Sequence, residues 1–293
     1  MAVPTILVTG SNGQLGSELR ELAPSWPQFK FCFFSRSDLA IENSEEVERA
    51  FALLRPQYVI NCAAYTAVDR AETEKEQAMA VNAIAVGLLA EAAHRFGAKF
   101  IHVSTDYVFD GQSREPLTEE SPVSPVNFYG ESKLRGEQEA FRLNPDSLVI
   151  RTAWVYSSYG KNFVKTMLRL MAEKESISVV SDQWGSPTYA ADLATAILHI
   201  IESKLWRPGI YHYSNEGVIN WAQFAEEIAR LSHSNCKVNF ITTDQYPTPA
   251  RRPAYSVMDK HKIASVYNVP IRPWKESLQE CLAKLAADPV VYP

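Results

Sequence analysis

The stretch Thr5-Ile-Leu-Val-Thr-Gly10-Ser-Asn-Gly13-Gln-Leu-Gly16 decides the fold. A run of β-favouring residues meets three glycines spaced three apart, and residues 14–23 then carry apolar side chains at helical intervals. Glycine at such a turn permits positive φ and close approach of a second backbone, while the helix N-terminus offers N–H groups to a pyrophosphate. The glycines alone would suit a plain β-α turn. With a strand before them and a helix after, they point to a bound dinucleotide.

The same alternation continues outward. Strands are expected at 29–35, 58–64, 99–105 and 147–156, separated by helical patterns at 44–54, 74–96 and 129–143. Several of these strands lack polar alternation, as strands covered on both faces do. The class is therefore α/β, a Rossmann-type doubly wound parallel sheet, with ligands expected beyond the carboxyl ends of its strands. After Tyr156 the alternation weakens and prolines gather at Pro187, Pro208, Pro247, Pro249, Pro253, Pro270 and Pro273. That half reads as a smaller α+β region, with helices at 162–173, 191–202, 221–231 and 274–285 and short strands near 178–181 and 209–213. The division predicted is a NAD(P)-binding region at 1–153 and a mainly substrate-binding region at 154–293, with elements near 187–205 packing back on the first. Residues 110–125 form a loop long enough to be functional.

Composition removes several classes. The 293 residues carry 29 Lys and Arg against 34 Asp and Glu, a net charge of −5, without the basic excess of a nucleic-acid binder. No run approaches the ~20 apolar residues of a membrane span. Met1–Gly10 lacks a basic leader and reads as the first strand rather than a signal peptide. Cys32, Cys62, Cys236 and Cys281 stand far apart with no C-x-x-C spacing, which favours a reducing, cytoplasmic setting and gives no metal signature.

Chemistry-bearing residues cluster after the strands. Gly10, Gly13, Gln14, Leu15 and Gly16 form the phosphate loop. Ser35 and Arg36, after the second strand, suit a ribose 2′-phosphate where an acid would repel it, so NADPH is expected over NADH. Asp38 is better placed for the adenine edge. Asn61-Cys-Ala-Ala-Tyr-Thr66 closes the third strand with small residues that let a cofactor lie against the sheet edge. Tyr129-Gly-Glu-Ser-Lys133 puts a phenol and an ammonium one helical turn apart, where the positive charge would favour phenolate. Ser104 and Thr105 end the fourth strand, so their hydroxyls and the Tyr/Lys helix are expected to converge. Tyr107 and Phe109 read as packing residues, and none of the six histidines shows a partner.

Together, Gly10-x-x-Gly13-x-x-Gly16, Asn61-Cys-Ala-Ala, the Ser104/Thr105 strand end and Tyr129-x-x-x-Lys133 resemble the extended short-chain dehydrogenases/reductases. Within that family, His102-Val-Ser-Thr-Asp-Tyr-Val-Phe-Asp-Gly111, Arg151-Thr-Ala-Trp-Val-Tyr156, Gly160-Lys-Asn-Phe163, Gly185-Ser-Pro-Thr188 and Arg252-Pro-Ala-Tyr-Ser256 resemble the dTDP-4-dehydrorhamnose reductases, in order over nearly the whole chain. The resemblance implies NADPH-dependent reduction of the 4-keto group of dTDP-4-dehydro-L-rhamnose to dTDP-L-rhamnose. It places the acid/base tyrosine on Tyr129, its lysine partner on Lys133 and the keto-oxygen threonine on Thr105, with Asp106 and Trp154 contacting the sugar. Asn162 and Arg252 join the substrate contacts, Arg252 toward the diphosphate. Cofactor contacts fall on Gly13, Gln14 and Leu15, on Asp38 and Leu39, and on Ala63, Ala64, Tyr65 and Thr66. Some members are dimers with magnesium held between subunits. Glu18 is the candidate for one of the carboxylates, but Ala191 stands where a second would align, which argues against the metal. A monomer or a homodimer is compatible with the sequence. Two rivals are another sugar-nucleotide epimerase or dehydratase of the extended family and a non-catalytic regulatory subunit, like the β subunit of methionine adenosyltransferase. Dehydratases carry a Glu where Tyr107 stands.

Overall fold

The computed structural model describes residues 3–287; Met1 and Ala2 of the apolar N-terminal stretch, and 288–293 of the second region, lie outside the described residues. Strands β1 (Thr5–Thr9), β2 (Lys30–Phe34), β3 (Tyr58–Asn61), β4 (Lys99–Thr105) and β5 (Leu148–Thr152) alternate with helices α1 (Gln14–Leu22), α2 (Ser44–Leu54), α3 (Lys75–Met79), α4 (Ala85–Phe96) and α5 (Phe128–Leu143). A π-helical segment, Ala80–Ile84, joins α3 to α4. Then follow β6 (Val155–Tyr156), α6 (Phe163–Glu173), β7 (Ser176–Val180), β8 (Trp184–Gly185), β9 (Thr188–Tyr189), α7 (Ala190–Glu202), β10 (Gly209–Tyr213), β11 (Ile219–Asn220), α8 (Trp221–Leu231), β12 (Lys237–Ile241), α9 (His261–Tyr267) and α10 (Trp274–Ala287).

The main sheet is six-stranded and parallel, in the order β2-β1-β3-β4-β5-β10. The chain leaves β1 in opposite directions toward β2 and β3, which opens a crevice at their carboxyl ends. Both faces of the sheet are covered. Ile6, Val8, Ile60 and Ile101 pack with α1, α7 and α9, while Leu7, Val59 and Phe100 pack with α2, α4 and α5. This two-sided burial is why these strands read as near-continuous apolar runs. A second core gathers Tyr156, Tyr189, Phe224, Ile228, Trp274 and Leu278 beneath the smaller sheets.

Several sequence expectations change in detail. Residues 209–213 form the sixth strand of the main sheet, paired with β5, rather than a strand of the smaller region. The preceding helix α7 buries Leu193, Ile197 and Ile201 in the same core. The run 147–156 is two strands, because Trp154 adopts a left-handed φ of 48° and turns the chain so that β6 pairs with β9. The third strand stops at Asn61, whose Oδ1 accepts from Thr9 Oγ1 (2.6 Å) and from the Ala63 N–H (3.2 Å). The helix expected at 74–96 carries the π segment, and β12, pairing parallel with β7, was not legible. No helix among the described residues is long and apolar enough to cross a membrane.

Candidate active site

The glycine loop is built by exclusion of side chains. Gly10 has φ 66°, and a Cβ there would lie 2.6 Å from the Ala63 nitrogen; one on Gly16 would lie 2.5 Å from the Gly10 carbonyl oxygen. Helix α1 starts behind Gly13 with no side-chain cap and no acidic residue in its first turn. Its leading N–H groups thus face the crevice uncommitted to a side chain and suit a phosphate.

A cleft of about 1120 Å³ runs from this loop along the strand ends. Its walls include Gly10, Gly13, Gln14 and Leu15, then Ser35, Arg36 and Leu39, then Ala63, Ala64, Tyr65 and Thr66. At the far end stand Thr105, Asp106, Tyr107, Tyr129, Lys133 and Trp154. Strands β1 to β5 and helix α5 deliver these groups from positions up to 144 residues apart, so the sheet order itself assembles the site. A cavity of this length, with a glycine cradle on one side and the small residues Ala63 and Ala64 against the sheet edge, fits an extended dinucleotide.

Burial sets the electrostatics. Tyr129 is pushed well above the usual phenol range by burial, with the neighbouring Thr105 hydroxyl acting in the opposite direction. The Lys133 ammonium is engaged by β4. Its Nζ donates to the Val103 carbonyl (2.7 Å) and lies 3.3 Å from His102 Nε2. Burial pulls the Lys133 ammonium down to about 8, against the pull of Glu137. Asp106 is buried, which pushes its carboxyl up to about 6 while the nearby Ser256 and Thr105 hydroxyls pull the other way. The Thr105 hydroxyl also donates to Asp106 Oδ1 (3.1 Å). Ser104, by contrast, gives its hydroxyl to Glu137 Oε1 (2.5 Å), itself ion-paired at 2.7 Å with the buried Arg151.

Other residues lie differently from expectation. Asp38 folds back, its Oδ2 accepting from Ser35 N (2.9 Å) and Ser35 Oγ (2.6 Å), so it shapes the loop instead of lining the cleft. Arg36 is exposed and lies 3.6 Å from Glu42. Asn162 caps α6 through the Lys165 N–H (3.1 Å) and donates to Gln14 Oε1 (3.0 Å), tying the glycine loop to the second region rather than lining the cleft. Arg252 is held by Asp69 at 2.7 Å and lines a separate pocket of about 440 Å³ with Arg114, Arg251 and Trp184. Glu18 is buried in α1, accepting from Ser157 Oγ (2.6 Å), with Lys284 Nζ at 3.6 Å from its other oxygen.

Against this geometry, the family model for the RmlD substrate binding domain matches residues 4–287. The chain belongs to the RmlD family of dTDP-4-dehydrorhamnose reductases. It is 39% identical over 288 residues to the dTDP-4-dehydrorhamnose reductase of Aggregatibacter actinomycetemcomitans, covering 95% of this chain and 98% of that one. It is 40% identical over 278 residues to the spore coat polysaccharide biosynthesis protein SpsK of Bacillus subtilis, covering 94% and 96%. Among solved structures, the Bacillus anthracis dTDP-4-dehydrorhamnose reductase in complex with NADP superposes with a TM-score of 0.92 at 39% identity, covering 97% of this chain and all of that one.

Three polar contacts of this RmlD-family site are set by tertiary packing. His102 lies in an apolar strand and meets Lys133 only because β4 and α5 pack together. Asn61 Nδ2 is 3.0 Å from His102 Nδ1. Asn82, in the π segment, clamps the Tyr65 backbone through both amide atoms (2.8 and 3.0 Å). A buried polar residue within each apolar run was the available signal. Tyr107, read as packing, lines the cleft with its ring edge-on to Tyr129 at 5.5 Å.

Proposed function

We propose that the chain reduces the 4-keto group of dTDP-4-dehydro-L-rhamnose with NADPH, releasing dTDP-L-rhamnose, with Tyr129 as proton donor. The observation that carries this reading is the placement of Thr105, Asp106, Tyr129 and Lys133 at the end of one cleft whose other end is a glycine cradle. When bound there, the nicotinamide supplies the hydride. Gly10, Gly13, Gln14 and Leu15 would hold the pyrophosphate, Ser35 and Arg36 the 2′-phosphate, and Ala63 to Thr66 the face toward the sheet.

The burial that keeps Tyr129 protonated suits a donor in the reductive direction: the phenol retains its proton until negative charge develops on the sugar O4. The Thr105 hydroxyl, within reach of the phenol, steadies the same oxygen. Lys133 stands one turn along α5 as the nearby cation, and Asp106 accepts from sugar hydroxyls when ionised. Trp154 walls the sugar end. Residues 154–287, apart from α7, β10 and α9, would cover the nucleotide. The protein would act in the cytoplasm, where its four unbridged cysteines stay reduced, as a monomer or homodimer.

The pH dependence has a worked sign. Asp106 loses its proton as pH rises through about 6, and Lys133 loses its charge as pH rises through about 8. Accordingly kcat/KM for the keto sugar should rise through the first value and fall through the second, since that ratio reports free-enzyme groups. Asp106→Asn should abolish the acid limb; its persistence in the variant would remove Asp106 from the role. The function itself is tested by following NADPH and NADH oxidation with the keto sugar. Oxidation with a preference for NADPH is expected. No oxidation of either cofactor, together with tight capture of a partner enzyme, would favour a regulatory subunit instead.

A further inference from the structure

Trp154 is held in an unusual way. Its φ of 48° is left-handed, a conformation that a bulky side chain leaves unless its surroundings impose it. Two surfaces impose it here. The Trp221 ring lies parallel to the Trp154 ring, 14° from coplanar with centroids 3.6 Å apart. Gly185 closes the other contact: a Cβ there would come within 2.8 Å of indole Cε2 and Cζ2. The backbone is fixed as well, because the Thr188 N–H donates to the Trp154 carbonyl at 3.2 Å.

These two surfaces form one rigid jaw. Gly185 lies in β8 and pairs with Ile219 of β11, and Trp221 follows β11 directly as the first residue of α8. A reciprocal cap fixes that helix start: Asn220 Oδ1 accepts from the Gln223 N–H (2.9 Å), and Gln223 Oε1 accepts from the Asn220 N–H (3.0 Å). Behind Trp221, Phe163 packs at 4.7 Å. Trp154 lines the cleft, whereas Trp221 and Gly185 do not.

We infer that Trp221, with Gly185, is a positioning residue that sets the sugar end of the cleft by clamping the Trp154 indole. The inference rests on the reading of Trp154 as a substrate contact. Trp221 would then shape sugar recognition without touching substrate, cofactor or the reacting atoms.

The test is a double-variant cycle with Trp154→Ala, Trp221→Leu and the pair, each assayed with the keto sugar nucleotide and NADPH. Loss of one aromatic pair should raise the sugar KM about threefold to tenfold in Trp221→Leu, with kcat within about twofold and the NADPH KM unchanged. Trp221→Phe should restore most of the loss, and it keeps the test open if the leucine variant fails to fold. Near-UV circular dichroism should lose the coupled indole band in either single tryptophan variant. The pair should be no worse than Trp154→Ala alone, since both changes remove one interaction. Effects that multiply, or an unchanged sugar KM in Trp221→Leu while Trp154→Ala raises it, would overturn the inference alone. An unchanged KM in Trp154→Ala would overturn the substrate-contact reading and this inference with it.

Discussion

Replacing Tyr129 by Phe should lower kcat on the keto sugar by about 10² to 10⁴, the range lost with a positioned proton donor, while NADPH affinity stays nearly unchanged. The variant isolates the hydroxyl. The ring that meets Tyr107 at 5.5 Å is kept, so the cleft wall should survive. The effect is large because the phenol is buried, with the Thr105 hydroxyl beside it in the same cleft. Ser104, the neighbouring hydroxyl, is committed to Glu137 and cannot take over. Stopped-flow single turnovers with NADPH would separate the chemical step from release. Wild-type turnover in Tyr129→Phe would remove the tyrosine from the mechanism.

Gly16→Ala should weaken NADPH binding about tenfold to hundredfold, because overpacking a closely packed site by a methyl group commonly costs about 1–3 kcal/mol. The added Cβ would meet the Gly10 carbonyl oxygen at 2.5 Å and Ser11 Cα at 2.6 Å, both backbone atoms that can move only if the loop opens. Gly13→Ala meets the same oxygen at 3.2 Å and should be milder. Fluorescence titration of NADPH into the two variants, with thermal unfolding as a check on the fold, reads the order directly. Equal affinities in wild type and Gly16→Ala would contradict the assignment of this loop to the pyrophosphate.

The fold was legible where local sequence admitted one structure. Thr5–Gly16 has few alternatives, because the glycines sit where side chains have no room, and the apolar runs reflect burial on both faces. Tyr129 and Lys133 were legible as neighbours on one helix. What Lys133 bonds to was not, since Val103 and His102 reach it from β4 through the packing of sheet on helix. Asn162 has a residue type that serves equally as a ligand or as a helix cap, and the structure uses it as a cap. The partner of Arg252, Asp69, lies 183 residues away in sequence, so no local pattern reveals the pair. Strand β10 was read as part of the smaller region because nothing within 209–213 tells that β5 lies beside it. Trp154 was readable as a site residue, but its left-handed backbone depends on Trp221 and Gly185, which tertiary structure brings together.

The central claim is direct reduction of the sugar C4 carbonyl in this cleft. Incubating the protein with dTDP-4-dehydro-L-rhamnose and NADPH carrying deuterium at both positions of nicotinamide C4, then reading the product by NMR, tests it most directly. The expected product is dTDP-L-rhamnose carrying one deuterium at C4, formed in step with NADPH oxidation. Product without the label, or no product from a folded protein that binds NADPH, would contradict it.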